Sequence, residues 1–81
     1  MDKPWNKPVI LALEGPGKYT TISNATQASW ALIEDWPLED GTALDRALLI
    51  FAGVAEGKKS TDEARRAFVF AAAEAGIDVK D

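Results

Sequence analysis

The length, composition and charge of this chain limit both its fold and its chemistry. It has 81 residues, a net charge of −4, no cysteine and no histidine. We expect one small domain, residues 1–81, stabilised by packing or self-association, because no disulfide or thiolate zinc site can form. The acidic balance disfavours nucleic acid and anionic membranes as partners. Since no apolar run is long enough to span a membrane and no signal sequence opens the chain, we expect a cytoplasmic protein.

The first third of the sequence predicts a β-hairpin. Apolar residues alternate over residues 9–14, as in a strand, and a second short strand is expected at residues 19–22. The Gly-Pro-Gly sequence at residues 15–17 favours a turn, because proline presets φ and glycine accepts a positive φ. A two-stranded hairpin is marginal alone in water, so helices must cover its apolar face. Trp5, in the polar lead-in, is expected to fold back onto the same core.

A first helix is predicted over residues 25–35. Asn24, followed three residues later by Gln27, is a typical capping signal. The helix must end before Pro37, because proline disfavours helical geometry in the residue that precedes it. Its expected core face carries Ala25, Ala28, Leu32, Ile33 and Trp36.

A second helix is predicted after the acidic loop at residues 38–41. Thr42 is the expected N-cap, and Gly57 is the expected stop. Leu49 and Ile50 fall outside the main apolar stripe, so the helix is apolar on more than one side. That stripe consists of Leu44, Ala47, Leu48, Phe51, Val54 and Ala55.

The most strongly marked helix lies in residues 60–77. Ser60 and Glu63 form a capping box. Gly76 is typical of a Schellman stop, in which Ile77 packs back on the helix. The small-residue stripe expected in the core consists of Ala64, Ala67, Phe68, Ala71, Ala72 and Ala75.

Taken together, these elements predict an α+β fold. An N-terminal β-hairpin is followed by three helices, in the order ββααα. Alternation in residues 77–80 indicates that a short third strand could be added at the edge of the sheet.

Two motifs resemble those of a known family. They are the pair Trp36-Pro37 and the run from Ala64 to Ile77, Ala-Arg-x-Ala-Phe-x-x-Ala-Ala-x-Glu-Ala-Gly-Ile. The chain resembles, over nearly its whole length, a family of small bacterial proteins described as a domain of unknown function. The resemblance implies a small single-domain protein and supplies no activity.

The residue types present argue against an enzyme. Catalysis near neutral pH relies mostly on histidine or on an activated nucleophile such as cysteine, and the chain has neither. The acidic pairs at residues 34–35, 39–40 and 62–63 lie at helix ends or in loops and lack the spacing of a calcium loop. The hairpin turn does not fit a phosphate-binding loop, because Ala12 replaces its first glycine and Tyr19 its serine or threonine. We expect no catalytic residue, metal or cofactor.

Basic residues gather between the second and third helices. Because clustered positive charge can bind phosphates, nucleic-acid binding at residues 58–66 is the alternative function. Acidic residues 62 and 63 argue against it, since the first turn of a recognition helix would face phosphates. Arg65 could instead pair with Asp40 or Asp45, because its planar donor fork suits a carboxylate.

The function favoured by the sequence is protein interaction, through a homodimer or with another protein. The second and third helices are apolar on more sides than a hairpin and one helix should cover, and exposed apolar patches often mark interfaces. The alternative is that these side chains pack against the hairpin and Trp5, or are scattered apolar surface. The candidate interaction surface consists of Leu49, Ile50, Arg65, Arg66, Val69 and Phe70.

Overall fold

The structure, a computed structural model, describes residues 4–80, so residues 1–3 of the expected lead-in and residue 81 lie outside the described residues. The strands are β1 (Val9–Leu11), β2 (Thr20–Ile22) and β3 (Val79–Lys80), and the helices are α1 (Ala25–Trp30), α2 (Thr42–Ala55) and α3 (Thr61–Glu74). A π-helical segment, Ala31–Asp35, continues α1. The strands form one antiparallel sheet in the order β2-β1-β3. The predicted α+β fold, with its hairpin, three helices and edge strand, is confirmed.

The hairpin strands are shorter than predicted. The register pairs Leu11 with Thr20, which begins β2 one residue later than expected. β1 ends at Leu11 because the chain turns there, and the amide of Leu13 donates back to the carbonyl of Leu11 at 2.9 Å. The amide of Ala12 donates to the carbonyl of Asp78 at 2.8 Å. This bond ties the end of β1 to the segment that leads into β3.

α1 and the π-helical segment together cover the predicted helix, residues 25–35. The Oδ1 atom of Asn24 accepts a hydrogen bond from the amide of Gln27 at 2.9 Å. The Oε1 atom of Gln27 accepts one from the amide of Ser23 at 2.7 Å. The π-helical segment stops at Trp36, whose extended backbone (φ −74°, ψ 135°) is the conformation expected before Pro37.

The inward face of this helix differs from the prediction at two positions. Ile33 is 67% exposed, whereas Ala31 is buried. The helix is turned so that Ala28 and Ala31 face the core, where small side chains let it lie close to its neighbours. Ile33 is therefore left at the surface.

α2 begins without the predicted threonine cap. Thr42 is the first helical residue, and Gly41, at the N-cap position, has no side chain that could accept a hydrogen bond. The carboxylate of Glu74, at the end of α3, accepts instead from the amides of Ala43 at 3.0 Å and Leu44 at 3.1 Å. Two backbone donors that a helix start leaves unpaired are thus satisfied from another helix.

α3 has both predicted ends. The amide of Glu63 donates to Ser60 Oγ at 3.1 Å, and the amide of Ser60 donates to Glu63 Oε2 at 2.9 Å, which completes the capping box. At the other end, Gly76 has a positive φ of 71°, and the amide of Ile77 donates to the carbonyl of Ala72 at 3.0 Å. Within residues 4–80, none of the helices combines the length and apolar character needed to cross a bilayer.

Phe68 lies at the centre of the core. Its ring centroid is 5.5 Å from that of Trp36, 5.9 Å from Trp5 and 6.4 Å from Phe51. The indole N–H groups of both tryptophans are buried without an acceptor among the described residues, so these side chains contribute through apolar packing. Trp5 is 5% exposed, and its amide donates to the carbonyl of Ser23 at 2.7 Å, as expected of a lead-in that folds back.

Candidate interaction surface

Of the four apolar residues proposed from sequence for an interaction surface, two are exposed and two pack against the core. Ile50 and Val69 are half-buried and pack against the core. Leu49 is 75% exposed and projects from the side of α2 that faces away from the core. Phe70 is 69% exposed and lies in a groove of about 370 Å³ beside Ala43, at the start of α2. Of the four, Leu49 and Phe70 are thus the exposed side chains.

The two arginines of that proposed surface also have different surroundings. Arg65 is half-buried, and its Nε donates to the carbonyl of Lys7 at 2.7 Å. This bond fastens the N-terminal segment to α3, in place of the pairing with Asp40 or Asp45 expected from sequence. Arg66 is exposed.

The basic junction at residues 58–66 is not uniformly cationic. Lys58 Nζ lies 3.7 Å from Glu56 Oε2, and both side chains are exposed. Asp62 and Glu63 occupy the first turn of α3. The hydrogen bond from the backbone of Ser60 lowers the pKa of Glu63, so this carboxylate is charged at neutral pH. A nucleic-acid phosphate approaching the helix start would meet these carboxylates.

An exposed apolar patch that sequence reasoning missed lies where α1 meets α2. Trp30 is 60% exposed, Ile33 67% and Leu48 38%. Trp30 and Ile33 line one shallow depression, and Ile33 and Leu48 line a groove of about 510 Å³ between the two helices. We call Trp30, Ile33 and Leu48 the Trp30 patch, and the space between the helices the α1–α2 groove.

The sequence carries one signal for this patch. Periodicity assigned Ile33 and Leu48 to the buried stripes of their helices, which hid their exposure. Trp30 belongs to neither the predicted core face nor the predicted surface, although it is a large aromatic side chain in a short helix. The signal is therefore Trp30 itself, an aromatic side chain outside the predicted buried face. Such exposed apolar side chains often mark a contact with a partner.

Acidic side chains dominate the part of the chain that forms this groove. Residues 24–56 contain six acidic residues and one basic residue, Arg46, so their net charge is 1 − 6 = −5. Glu34 lines the depression beside Trp30. Arg46 lies in the other groove, beside Phe70. The acidic residues are Glu34, Asp35, Glu39, Asp40, Asp45 and Glu56.

A second depression, of about 400 Å³, lies under the hairpin turn. Tyr19 OH donates to Asp78 Oδ2 at 2.8 Å, and this bond raises the pKa of the phenol. Lys80 Nζ lies 4.3 Å from the centroid of the Tyr19 ring, within cation–π range. The three side chains join the start of β2 to the C-terminal segment, so their contacts have a structural explanation.

Comparison with known proteins assigns a family. A family model described as "Protein of unknown function (DUF982)" matches residues 7–79. The chain belongs to the DUF982 family. No curated protein and no solved structure matches it. The resemblance to a domain of unknown function, drawn from the Trp36-Pro37 pair and the α3 motif, is thereby confirmed.

The matched range of this DUF982 domain contains both grooves and all of the buried core except Trp5. It begins at the residue whose carbonyl binds Arg65 and ends within β3. Among residues 4–80, no group of three or more acidic residues is arranged to hold a metal ion. The family description supplies no activity, so function has to be argued from the surface.

Proposed function

We propose that this DUF982 domain is a non-enzymatic, cytoplasmic protein-interaction module that binds through the Trp30 patch. The observation that carries the proposal is the exposure of Trp30, Ile33 and Leu48 on two adjacent helices. Their exposed fractions are 60%, 67% and 38%, in a chain whose other large apolar side chains mostly reach the core.

The energetics of burial support this choice of surface. Removing apolar surface from water contributes roughly 25 cal/mol per Å². A partner that covers the Trp30 patch gains this free energy together with the packing of a tryptophan, a side chain enriched among interface residues that dominate affinity. Leu49 and Phe70 are similarly exposed, but neither lines the α1–α2 groove or the depression beside Trp30, so each is a weaker anchor for a partner.

The absence of catalysis is supported by residue types and local electrostatics. The chain has no histidine or cysteine. Two described groups with shifted pKa values, Tyr19 and Glu63, are explained by hydrogen bonds to Asp78 and to the backbone of Ser60. Neither forms part of a buried constellation of reactive groups.

The proposal is tested by capture of binding partners on the immobilised full chain, together with light scattering of the pure protein. Ile33→Ser removes a patch side chain that is mostly exposed, so the fold should survive. Leu49→Ser is the matched control, because it removes an equally exposed aliphatic side chain outside the patch. Partner capture or self-association should be lost in Ile33→Ser and kept in Leu49→Ser. Equal behaviour of the two variants would contradict the proposal.

A further inference from the structure

We infer that the α1–α2 groove receives an amphipathic helix of a partner protein, with basic side chains flanking its apolar face. This inference rests on the proposed function and adds the chemistry of the partner. It is carried by the shape of the groove and by the charge around it.

The shape of the groove favours a helix over an extended peptide. Both walls are helices whose backbone groups are bonded internally, so they offer a bound chain only side-chain contacts. An extended peptide gains most from the open edge of a sheet, whereas a helix satisfies its own backbone and presents apolar anchors. Ser29 and Ala52 are small groove residues that let a helix backbone come close.

The length of the groove also fits a short helix. The six residues of α1 and the five of the π-helical segment form one wall. At about 1.5 Å per residue, a little less in the π-helical part, this wall is roughly 15 Å long and accommodates about three helical turns. A partner helix with apolar residues at i, i+3, i+4 and i+7 places them along that length.

The charge around the groove selects a basic partner. Glu34 lies beside Trp30 and Ile33, and Asp45 lies one helical turn before Leu48, with both carboxylates exposed. These two carboxylates place negative charge at the border of the apolar contact. Complementary charge at an interface rim raises the association rate and penalises partners of like charge.

A second copy of the chain is a poorer occupant for the same reason. A two-fold symmetric dimer would place the Trp30 patch of one copy against that of the other. The Glu34 and Asp45 side chains of both copies would then surround one apolar contact, and like charges repel. A basic amphipathic helix makes the same apolar contact without that repulsion.

The test uses two synthetic probe peptides of about four helical turns, with leucine at i, i+3, i+4 and i+7. One carries lysine on the flanking positions and the other carries glutamate at those positions. Binding to the full chain is measured by calorimetry at about 0.05 M and about 0.5 M NaCl. We expect binding of the lysine peptide only, weakened by the higher salt.

Variants locate the site and separate its apolar and charged parts. Ile33→Ser should weaken binding of the lysine peptide by about tenfold, as for loss of one packed anchor. Glu34→Gln should weaken it by about threefold at low salt and have little effect at high salt. Leu49→Ser should leave it unchanged. The three responses together would place the peptide in the α1–α2 groove.

Other outcomes overturn the inference. They are equal binding of both peptides, no binding of the lysine peptide at about 1 mM, or an equal loss in Ile33→Ser and Leu49→Ser. Failure of this inference is distinguishable from failure of the proposed function. If Ile33→Ser abolishes capture of a natural partner while the lysine peptide does not bind, the Trp30 patch is an interface, but its partner is not a basic amphipathic helix. If Ile33→Ser changes neither measurement, the proposed function fails as well.

Discussion

The carboxylate of Glu74, at the C-terminal end of α3, accepts a hydrogen bond from the backbone amide of Leu44 in the first turn of α2 at 3.1 Å. Its second oxygen accepts from the amide of Ala43 at 3.0 Å. A negative charge at this place also interacts favourably with the α2 macrodipole. One side chain therefore caps a helix and fixes the junction between the two longest helices of the domain.

Removal of this cap should destabilise the domain. We expect Glu74→Ala to lower the free energy of unfolding by about 1 kcal/mol, the usual cost of losing an N-cap. For a domain of this size, that corresponds to a fall in Tm of about 4–8 °C. Glu74→Gln, which keeps an acceptor oxygen, should cost less. Glu39→Ala is the control, because Glu39 is an exposed loop carboxylate; an equal loss there would show that general charge removal is responsible.

Gly41 should act through the same contact. A Cβ atom at Gly41 would overlap Glu74 Oε1 and lie 2.7 Å from Glu74 Cδ, so Gly41→Ala forces the carboxylate to move. We expect a loss of stability similar to that of Glu74→Ala. Both substitutions break the same contact between Glu74 and the start of α2. The double variant should therefore lower the free energy of unfolding by no more than about 0.5 kcal/mol beyond the larger single effect. Full additivity in chemical denaturation would show that Gly41 acts independently of Glu74.

The sequence predicts those features of this fold that depend on residues close together in the chain. Ser60 and Glu63 cap α3 as expected, and Gly57 and Gly76, with φ of 77° and 71°, stop the two long helices. The small-residue stripe around Phe68 is buried from Ala64 to Ala72. These signals are readable because their physical cause lies within one or two helical turns.

Features that depend on distant residues were not predictable. Thr42 resembles an N-cap locally, and no local pattern shows that Glu74 takes that role from 30 residues away. The exposure of Ile33 depends on how far α1 is rotated toward its neighbours, which periodicity alone does not determine. The Trp30 patch was missed for this reason, since its members are apolar residues that the pattern assigned to the core or left unassigned.

Two phenylalanines two residues apart in α3 should respond very differently to truncation. Phe68 is fully buried between Trp5, Trp36 and Phe51, whereas Phe70 is 69% exposed. Phe68→Ala should cost about 3–5 kcal/mol through lost burial and the cavity left behind, enough to unfold much of a small domain. Phe70→Ala should stay within about 0.5 kcal/mol of the wild type. Comparable losses in urea unfolding would contradict the position of Phe68 at the centre of the core.

The single tyrosine allows a direct test of the contact between the hairpin and the C-terminal segment. The hydrogen bond from Tyr19 OH to Asp78 raises the pKa of the phenol above its ordinary value, because Asp78 binds the protonated form and its charge opposes the phenolate. Asp78→Ala should move the phenol midpoint, followed by phenolate absorbance, to lower pH. Glu14→Ala, a change at an exposed carboxylate of the hairpin, should leave the midpoint in place. An unchanged midpoint in Asp78→Ala would mean that the contact does not persist in solution.

The capping box of α3 should make stability depend on pH in the acidic range. The hydrogen bond from the backbone of Ser60 lowers the pKa of Glu63 in the folded state. The stabilisation is therefore fully present above the unfolded pKa and is lost as pH falls through the folded pKa. Glu63→Gln keeps an acceptor oxygen but does not titrate, so its Tm should lie below that of the wild type at about pH 7 and approach it at about pH 3. Ser60→Ala removes the oxygen that accepts from the amide of Glu63 and should cost about 1 kcal/mol at about pH 7. A constant gap between the wild type and Glu63→Gln would show that the Glu63 carboxylate contributes to the cap without its charge.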